Sequence, residues 1–250
     1  MRQRHSTRRF VKSLLKAAVR HGVFSFASAT VQQCRMVDDP QDEWCFGPVR
    51  VWLRTHVAGE RGEPQARELL GRHFGLPPQA VPMTRDERNR PWLLPPWDHY
   101  GTGWSHSGER LLLGLGEQVR LGVDLERLRP RPRLREVVRR FFHPDEIAWL
   151  HALPDDQHES LFFRLWCAKE AVLKAHGHGL SFGLHRLAFQ AGDAGALRLD
   201  WCDPALGQAA RWTLHEWLAA PGYRAAVAWY PLEAAGPRDP PQPGPAIMTR

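Results

Sequence analysis

Three short segments of this 250-residue chain place side chains at spacings that could do chemistry. In Gly122-Val123-Asp124-Leu125-Glu126, alternation along an extended strand puts Asp124 and Glu126 on one face, with Val123 and Leu125 on the other. Two carboxylates at one spot raise each other's pKa unless a cation lies between them, and a hard, oxygen-preferring ion such as Mg²⁺ resolves that conflict. A strand end running into solvent is the plainer alternative, and this motif alone leaves it open.

The second segment runs from Trp166 to Lys174. Trp166, Glu170 and Lys174 follow at i, i+4 and i+8, so an aromatic, an acid and a base share a helical face while Leu165, Val172 and Leu173 serve the packed side. A surface Glu170–Lys174 pair there contributes only about 0.2–0.5 kcal/mol. Lysine usage points further. Thirty of the 34 basic residues are arginine, and the four lysines are Lys12, Lys16, Lys169 and Lys174. Both lysines of the body fall in this segment, where a compact ammonium does what the broad guanidinium fork does not.

The third segment is Trp104-Ser105-His106-Ser107-Gly108, whose short hydroxyl and imidazole donors beside a glycine suit phosphate oxygens. A Ser-His nucleophile is disfavoured, because neighbours on an extended segment point apart and no G-x-S-x-G elbow is present.

These segments need elements to position them. PVRVWLRTH (48–56) alternates as a half-buried strand. GEPQARELLGRHFG (62–75) reads as a helix with Pro64 near its start and Gly75 at its end. LLLGL (111–115) and VRLGVDLERL (119–128) are predicted to pair as neighbouring strands joined by Glu117-Gln118. Helices are predicted in LREVVRRFF, from His143-Pro144, and over about twenty residues from a capping box at Asp156 and Glu159 to Gly177. Strands follow in SFGLHRLAFQ, ALRLDWC, RWTLHEWL and YRAAVAWY, the last two as a hairpin turning at Pro221-Gly222. The class is α+β with antiparallel sheets.

Composition bounds the rest. At 43% apolar and 24% charged the chain is of ordinary globular make-up, and no uncharged run approaches the roughly 18–20 residues that a membrane span needs. Four cysteines without C-x-x-C spacing read as reduced thiols of a cytoplasmic protein. The net charge of +7 is concentrated: residues 1–35 hold eight basic side chains and no acid, so everything from Met36 onward balances to within one charge. A near-neutral body argues against a nucleic-acid partner. Residues 1–43 are read as a basic extension outside the fold, whether a disordered arm, a targeting segment or the product of a start assigned upstream of Met36. Residues 231–250, with six prolines, are read as a disordered tail.

Taken in order, Arg90-Pro91-Trp92, Ser105-His106-Ser107-Gly108, Gly122 to Glu126, FFHPDE (141–146) and WCAKEAVLKAHGHGL (166–180) resemble the surfactin-type 4′-phosphopantetheinyl transferases, closely over residues 85–185. The resemblance implies a pseudo-symmetric monomer of two similar α/β halves, here 44–118 and 119–230, with one long helix in the second half. Coenzyme A and Mg²⁺ would lie in the cleft between them. It implies that Asp124, Glu126 and Glu170 hold Mg²⁺ and that Lys174 contacts the pyrophosphate. Arg90, Ser105 and His106 would bind phosphate oxygens of the coenzyme, and Glu146 would be the base for an incoming serine. The family's G-K-P is Asn89-Arg90-Pro91 here, and its F-N-x before the Ser-His pair is Thr102-Gly103-Trp104.

The activity so implied is Mg²⁺-dependent transfer of the phosphopantetheine arm from coenzyme A to a serine of an apo acyl or peptidyl carrier protein, releasing adenosine 3′,5′-bisphosphate. Charge neutralisation by the metal site, Lys174 and His106 would carry the chemistry without a covalent intermediate. A Mg²⁺ nuclease, and a non-enzymatic adaptor acting through the basic arm, are the rival readings.

Overall fold

The computed structural model describes residues 32–33 and 42–232. The expectations for the basic extension and the proline-rich tail therefore fall almost wholly outside the described residues.

The chain opens with β1 (Gln32–Gln33), β2 (Glu43–Phe46) and β3 (Val49–Thr55). Helix α1 (Glu63–Phe74) begins with Pro64 in its first turn and ends on Gly75 at φ 69°, the left-handed cap that glycine adopts without penalty. A short hairpin of β4 (Met83–Arg85) and β5 (Pro91–Leu93) precedes the long strands β6 (Tyr100–Ser107), β7 (Arg110–Glu117) and β8 (Val119–Arg127). Helices α2 (Leu134–Phe141), α3 (Pro144–His151) and α4 (Asp155–His176) follow. Strands β9 (Leu187–Ala191), β10 (Leu197–Cys202), β11 (Thr213–Ala220) and β12 (Tyr223–Pro231) complete the fold.

One arrangement occurs twice. In the first sheet β3 pairs with β7, which pairs with β6; in the second, β8 pairs with β12, which pairs with β11, all antiparallel. Each time a strand, a helical stretch and a hairpin follow in order, and the first strand pairs with the second arm of the hairpin. The α+β class with antiparallel sheets is thus realised, and the repetition lies in topology where the sequence carries no shared motif.

Packing stacks these parts in layers. Leu69 and Leu70 of α1 pack on Trp52, Leu111, Leu113 and Leu115. Val51, Leu53 and Leu112 of the first sheet meet Leu121, Val123, Leu125 and Val227 of the second. The far face of the second sheet, including Ala226 and Ala228, packs on α4 through Ala168, Ala171, Val172 and Ala175. Gly122 permits that last approach, since a Cβ there would lie 2.1 Å from the Ala171 carbonyl oxygen and 2.4 Å from the Ala175 nitrogen.

Two local expectations are corrected. β7 and β8 do not pair; Glu117-Gln118, with Gln118 at φ 54°, carries the chain from one sheet to the other. Both strands are buried on two faces, so alternation could not say which neighbour each takes. Nor does a capping box form at Asp156 and Glu159, because α4 starts one residue earlier behind Pro154 without a side-chain cap. The box forms instead at α3, where His143 accepts from Asp145 N and Glu146 accepts from His143 N. Among the described residues no helix is long and apolar enough to cross a membrane, and Cys167 and Cys202 are free thiols.

Candidate functional site

β6 ends the first sheet and β8 ends the second, and these two edges, with α4 across β8, enclose a polar cluster. Asp124 is its centre, at 3% exposure. Its Oδ1 accepts from Lys174 Nζ at 2.6 Å and from Ser105 Oγ at 3.0 Å, and Lys174 Nζ also lies 3.0 Å from Ser105 Oγ. One residue from each of β6, β8 and α4 thereby meets at one atom. Asp124 Oδ2 is buried with no hydrogen-bond partner.

Two further carboxylates surround it. Glu170, 7% exposed, is pushed up to about 7 by burial and then by the Asp124 and Glu126 charges, against the pull of Lys174. Glu126 is likewise raised by burial and by Asp124, with Arg131 opposing. It is aimed by three donors: Trp166 Nε1 at 3.1 Å, Ser107 Oγ at 3.4 Å and Arg131 at 3.4 Å. Lys174 is held above its ordinary value by Asp124 and Glu170 even though burial works the other way. The buried Cys167 thiol is driven well up by desolvation and by Asp124 and Glu126.

Three mutually repelling carboxylates, one with a buried unused oxygen, are the donor chemistry of a hard divalent cation. Among the described residues no group of three or more acidic, imidazole or thiol side chains is placed so that it could hold a metal ion as it stands. On Asp124 the counter-charge is Lys174, not a surface partner of Glu170 as spacing alone allowed.

The remaining expected residues divide. Ser105 points to Asp124 while exposed His106 packs on His56, ring centroids 4.8 Å apart, so the pair is not a nucleophile and base. His106 is lowered by burial, His56 and Lys174. Arg90 is presented by a turn in which Asp86 Oδ1 accepts from Arg88 N and Arg90 N. Its guanidinium reaches the cap of α4, where a Cβ on Gly177 would come 3.3 Å from it.

Glu146 does not fit the expected role of base. It is 0% exposed, its Oε2 is paired with Lys169 Nζ at 2.7 Å and accepts from His143 N, and its Oε1 accepts from Phe189 N at 2.9 Å. Lys169, also 0% exposed, donates in addition to the Leu184 and Leu187 carbonyls. Three acceptors for three ammonium protons make this a structural lock between α3, α4 and β9. One of the two body lysines thus serves the fold and the other the polar cluster.

Spacing did not single out Arg131 or His56, and it offered Ser107 to phosphate where the structure turns it to Glu126. A cavity of about 390 Å³ is lined by Ser107 and Arg127 and another of about 370 Å³ by Trp166 and Arg131, so that each is bordered by a donor to Glu126. Around them the near-neutral sum of the body conceals a local excess: residues 127–140 contain seven arginines and one acid, six of the arginines exposed. Net charge therefore does not exclude an anionic macromolecule at this face.

The family model described as the 4′-phosphopantetheinyl transferase superfamily matches residues 120–228. A putative 4′-phosphopantetheinyl transferase of Synechocystis is 34% identical over 153 residues, 59% of this chain and 55% of that protein. The 4′-phosphopantetheinyl transferase HetI of Nostoc is 38% identical over 117 residues, covering 46% and 49%. A Bacillus subtilis 4′-phosphopantetheinyl transferase is 28% identical over 144 residues, covering 57% and 62%. The chain spans roughly half the length of the first two relatives and somewhat more of the third.

Proposed function

With residues 120–228 carrying the signature of the 4′-phosphopantetheinyl transferase superfamily, we propose that this chain transfers the phosphopantetheine arm of coenzyme A to a serine of an apo acyl or peptidyl carrier protein. The surfactin-type form of the family is the finer assignment. The observation that carries the reading is the meeting of Ser105, Asp124 and Lys174 at one buried oxygen, with Glu126 and Glu170 coupled to it.

In this reading the serine oxygen bonds to the phosphorus next to the pantetheine arm, the bond from that phosphorus to the bridging oxygen breaks, and adenosine 3′,5′-bisphosphate leaves. Asp124, Glu126 and Glu170 would hold Mg²⁺, which when bound supplies charge neutralisation at the pyrophosphate. Lys174 stabilises charge on the phosphate oxygens, an electrostatic contribution that needs no covalent enzyme intermediate. With Glu146 sealed, Glu170 is the carboxylate of the cluster that would receive the serine proton. Ser107, Trp166 and Arg131 keep Glu126 oriented. The exposed arginines of 127–140 would meet a carrier that is acidic around its serine.

Chromatographic detection of adenosine 3′,5′-bisphosphate from coenzyme A, dependent on both an apo-carrier and Mg²⁺, tests this reading. Product without a carrier, or none with any carrier, contradicts it. The arginine-rich segment beside clustered carboxylates favours a Mg²⁺ nuclease as the second reading; cleavage of labelled DNA or RNA by the full chain would replace the first.

A further inference from the structure

Helix α4 ends in a pair that the polar cluster does not use: His176 and His178, one on each side of the cap residue Gly177. Their Nδ1 atoms lie 2.9 Å apart, and His176 Nε2 lies 3.0 Å from the Ala205 carbonyl oxygen. A carbonyl only accepts, so His176 Nε2 carries a hydrogen and, in the neutral ring, Nδ1 is a lone pair. His178 must then donate from its own Nδ1. One backbone oxygen thereby sets the hydrogens on both rings. Phe182 packs against both, ring centroids 5.1 and 5.8 Å away, and Ser181 Oγ donates to the His178 carbonyl at 2.6 Å. The segment after Gly177 is tied to the end of α4 through this pair.

Arg90 reaches the same spot, its Nη1 3.3 Å from where a Cβ on Gly177 would stand. The charges that bear on His176 from other elements are positive. β8 brings Arg120, which lies 5.0 Å over the Tyr230 ring with Arg211 at 4.7 Å on the same ring, and the turn before β5 brings Arg90. Asp203, on the loop that supplies Ala205, is paired with Arg186 at 3.3 Å, and Lys174 of the same helix is paired with Asp124. Burial first, then His178, Arg120 and Arg90, hold His176 below its ordinary value, against the Ala205 bond. A proton on His176 would set two N–H groups against each other and add a positive charge beside two arginines.

We propose that His176 and His178 are positioning residues for Arg90, working only while His176 is uncharged, so that the hold on coenzyme A weakens as pH falls. Acting through Gly177, the neutral pair fixes the surface on which the guanidinium rests; the protonated pair parts and lets it move. The sign is distinctive, because an imidazolium that met the coenzyme itself would attract its phosphates and strengthen binding on acidification. The inference rests on the coenzyme reading above, in which Arg90 contacts a phosphate oxygen.

The test is calorimetric binding of coenzyme A to the full chain with Mg²⁺, at about pH 8 and about pH 5.5, on either side of an ordinary histidine pKa. His178→Asn keeps an amide that donates to neutral His176 or, turned over, accepts from the imidazolium. Its Kd should equal that of wild type at the higher pH and be roughly ten-fold tighter than wild type at the lower, the size expected for one hydrogen bond to a charged group. His178→Phe keeps a ring against Phe182 without a donor; it should bind roughly ten-fold more weakly than wild type at the higher pH and converge with it at the lower. Titration of Glu170 and of the coenzyme phosphates is common to all three proteins and cancels in these ratios. Either ratio decides alone if the other variant does not fold. Wild type that matches or exceeds His178→Asn at low pH, or His178→Phe as tight as wild type at high pH, overturns the proposal. No binding of coenzyme A by wild type at either pH overturns the transferase reading, and this inference with it.

Discussion

Lys174 Nζ sits 2.6 Å from Asp124 Oδ1 and leaves the other oxygen of the same carboxylate buried and unpartnered. A half-satisfied buried carboxylate is costly, and two more carboxylates crowd it. Removing the central charge should remove function while relieving repulsion. Asp124→Asn is expected to abolish carrier modification, by 100-fold or more on the scale of losses at charge-stabilising sites, while the protein stays folded by circular dichroism. Modification within a few-fold of wild type would contradict the assignment.

Glu170 sets a pH dependence of stability. Its folded-state pKa, about 7 against 4.5 for the free group, means that the folded protein holds a proton that the unfolded chain gives up. Its contribution to stability is therefore greatest below about pH 4.5 and is lost as pH rises through 7. Glu170→Gln should raise the melting temperature at pH 8 by a few degrees in metal-free buffer, and the gain should fade towards pH 5. A gain that grows on acidification would reverse the sign and refute the burial and repulsion argument.

Glu146 and Lys169 should behave as parts of the fold. Truncating one partner of a buried ion pair costs about 3–5 kcal/mol, so Glu146→Ala should lower stability by that order in urea unfolding. Lys169→Arg should also destabilise, because a planar fork does not aim three donors at a carboxylate and two carbonyls. Abolished activity in a fully stable Glu146→Gln protein would restore Glu146 as a base.

Gly122 is the contact point of β8 and α4. Gly122→Ala forces a methyl to within about 2 Å of the Ala171 carbonyl, and overpacking of this kind costs about 1–3 kcal/mol. Since the displacement separates Asp124 from Glu170 and Lys174, activity should fall further than stability does. Comparing urea midpoint with initial rate checks this.

Much of this was legible in the sequence, for identifiable reasons. α4 stood out because 22 residues run without an internal proline or glycine and stop at Gly177, and the final hairpin because Pro221-Gly222 separates two alternating runs. Alternation correctly put Ser105 and His106 on opposite faces. What could not be read was contact between distant segments: that β8 leaves β7 for β12, that Glu146 finds Lys169, and that a lone histidine at the end of β3 lies under His106. The arginines of 127–140 were in plain view but were hidden by a sum over the whole body.

The most direct test is mass spectrometry of a purified apo-carrier after incubation with the full chain, coenzyme A and Mg²⁺, run beside Asp124→Asn and Glu170→Gln. The account predicts that wild type adds one phosphopantetheine arm to a single carrier serine and that both variants add none. No addition by wild type to any acyl or peptidyl carrier, or undiminished addition by the variants, would contradict it.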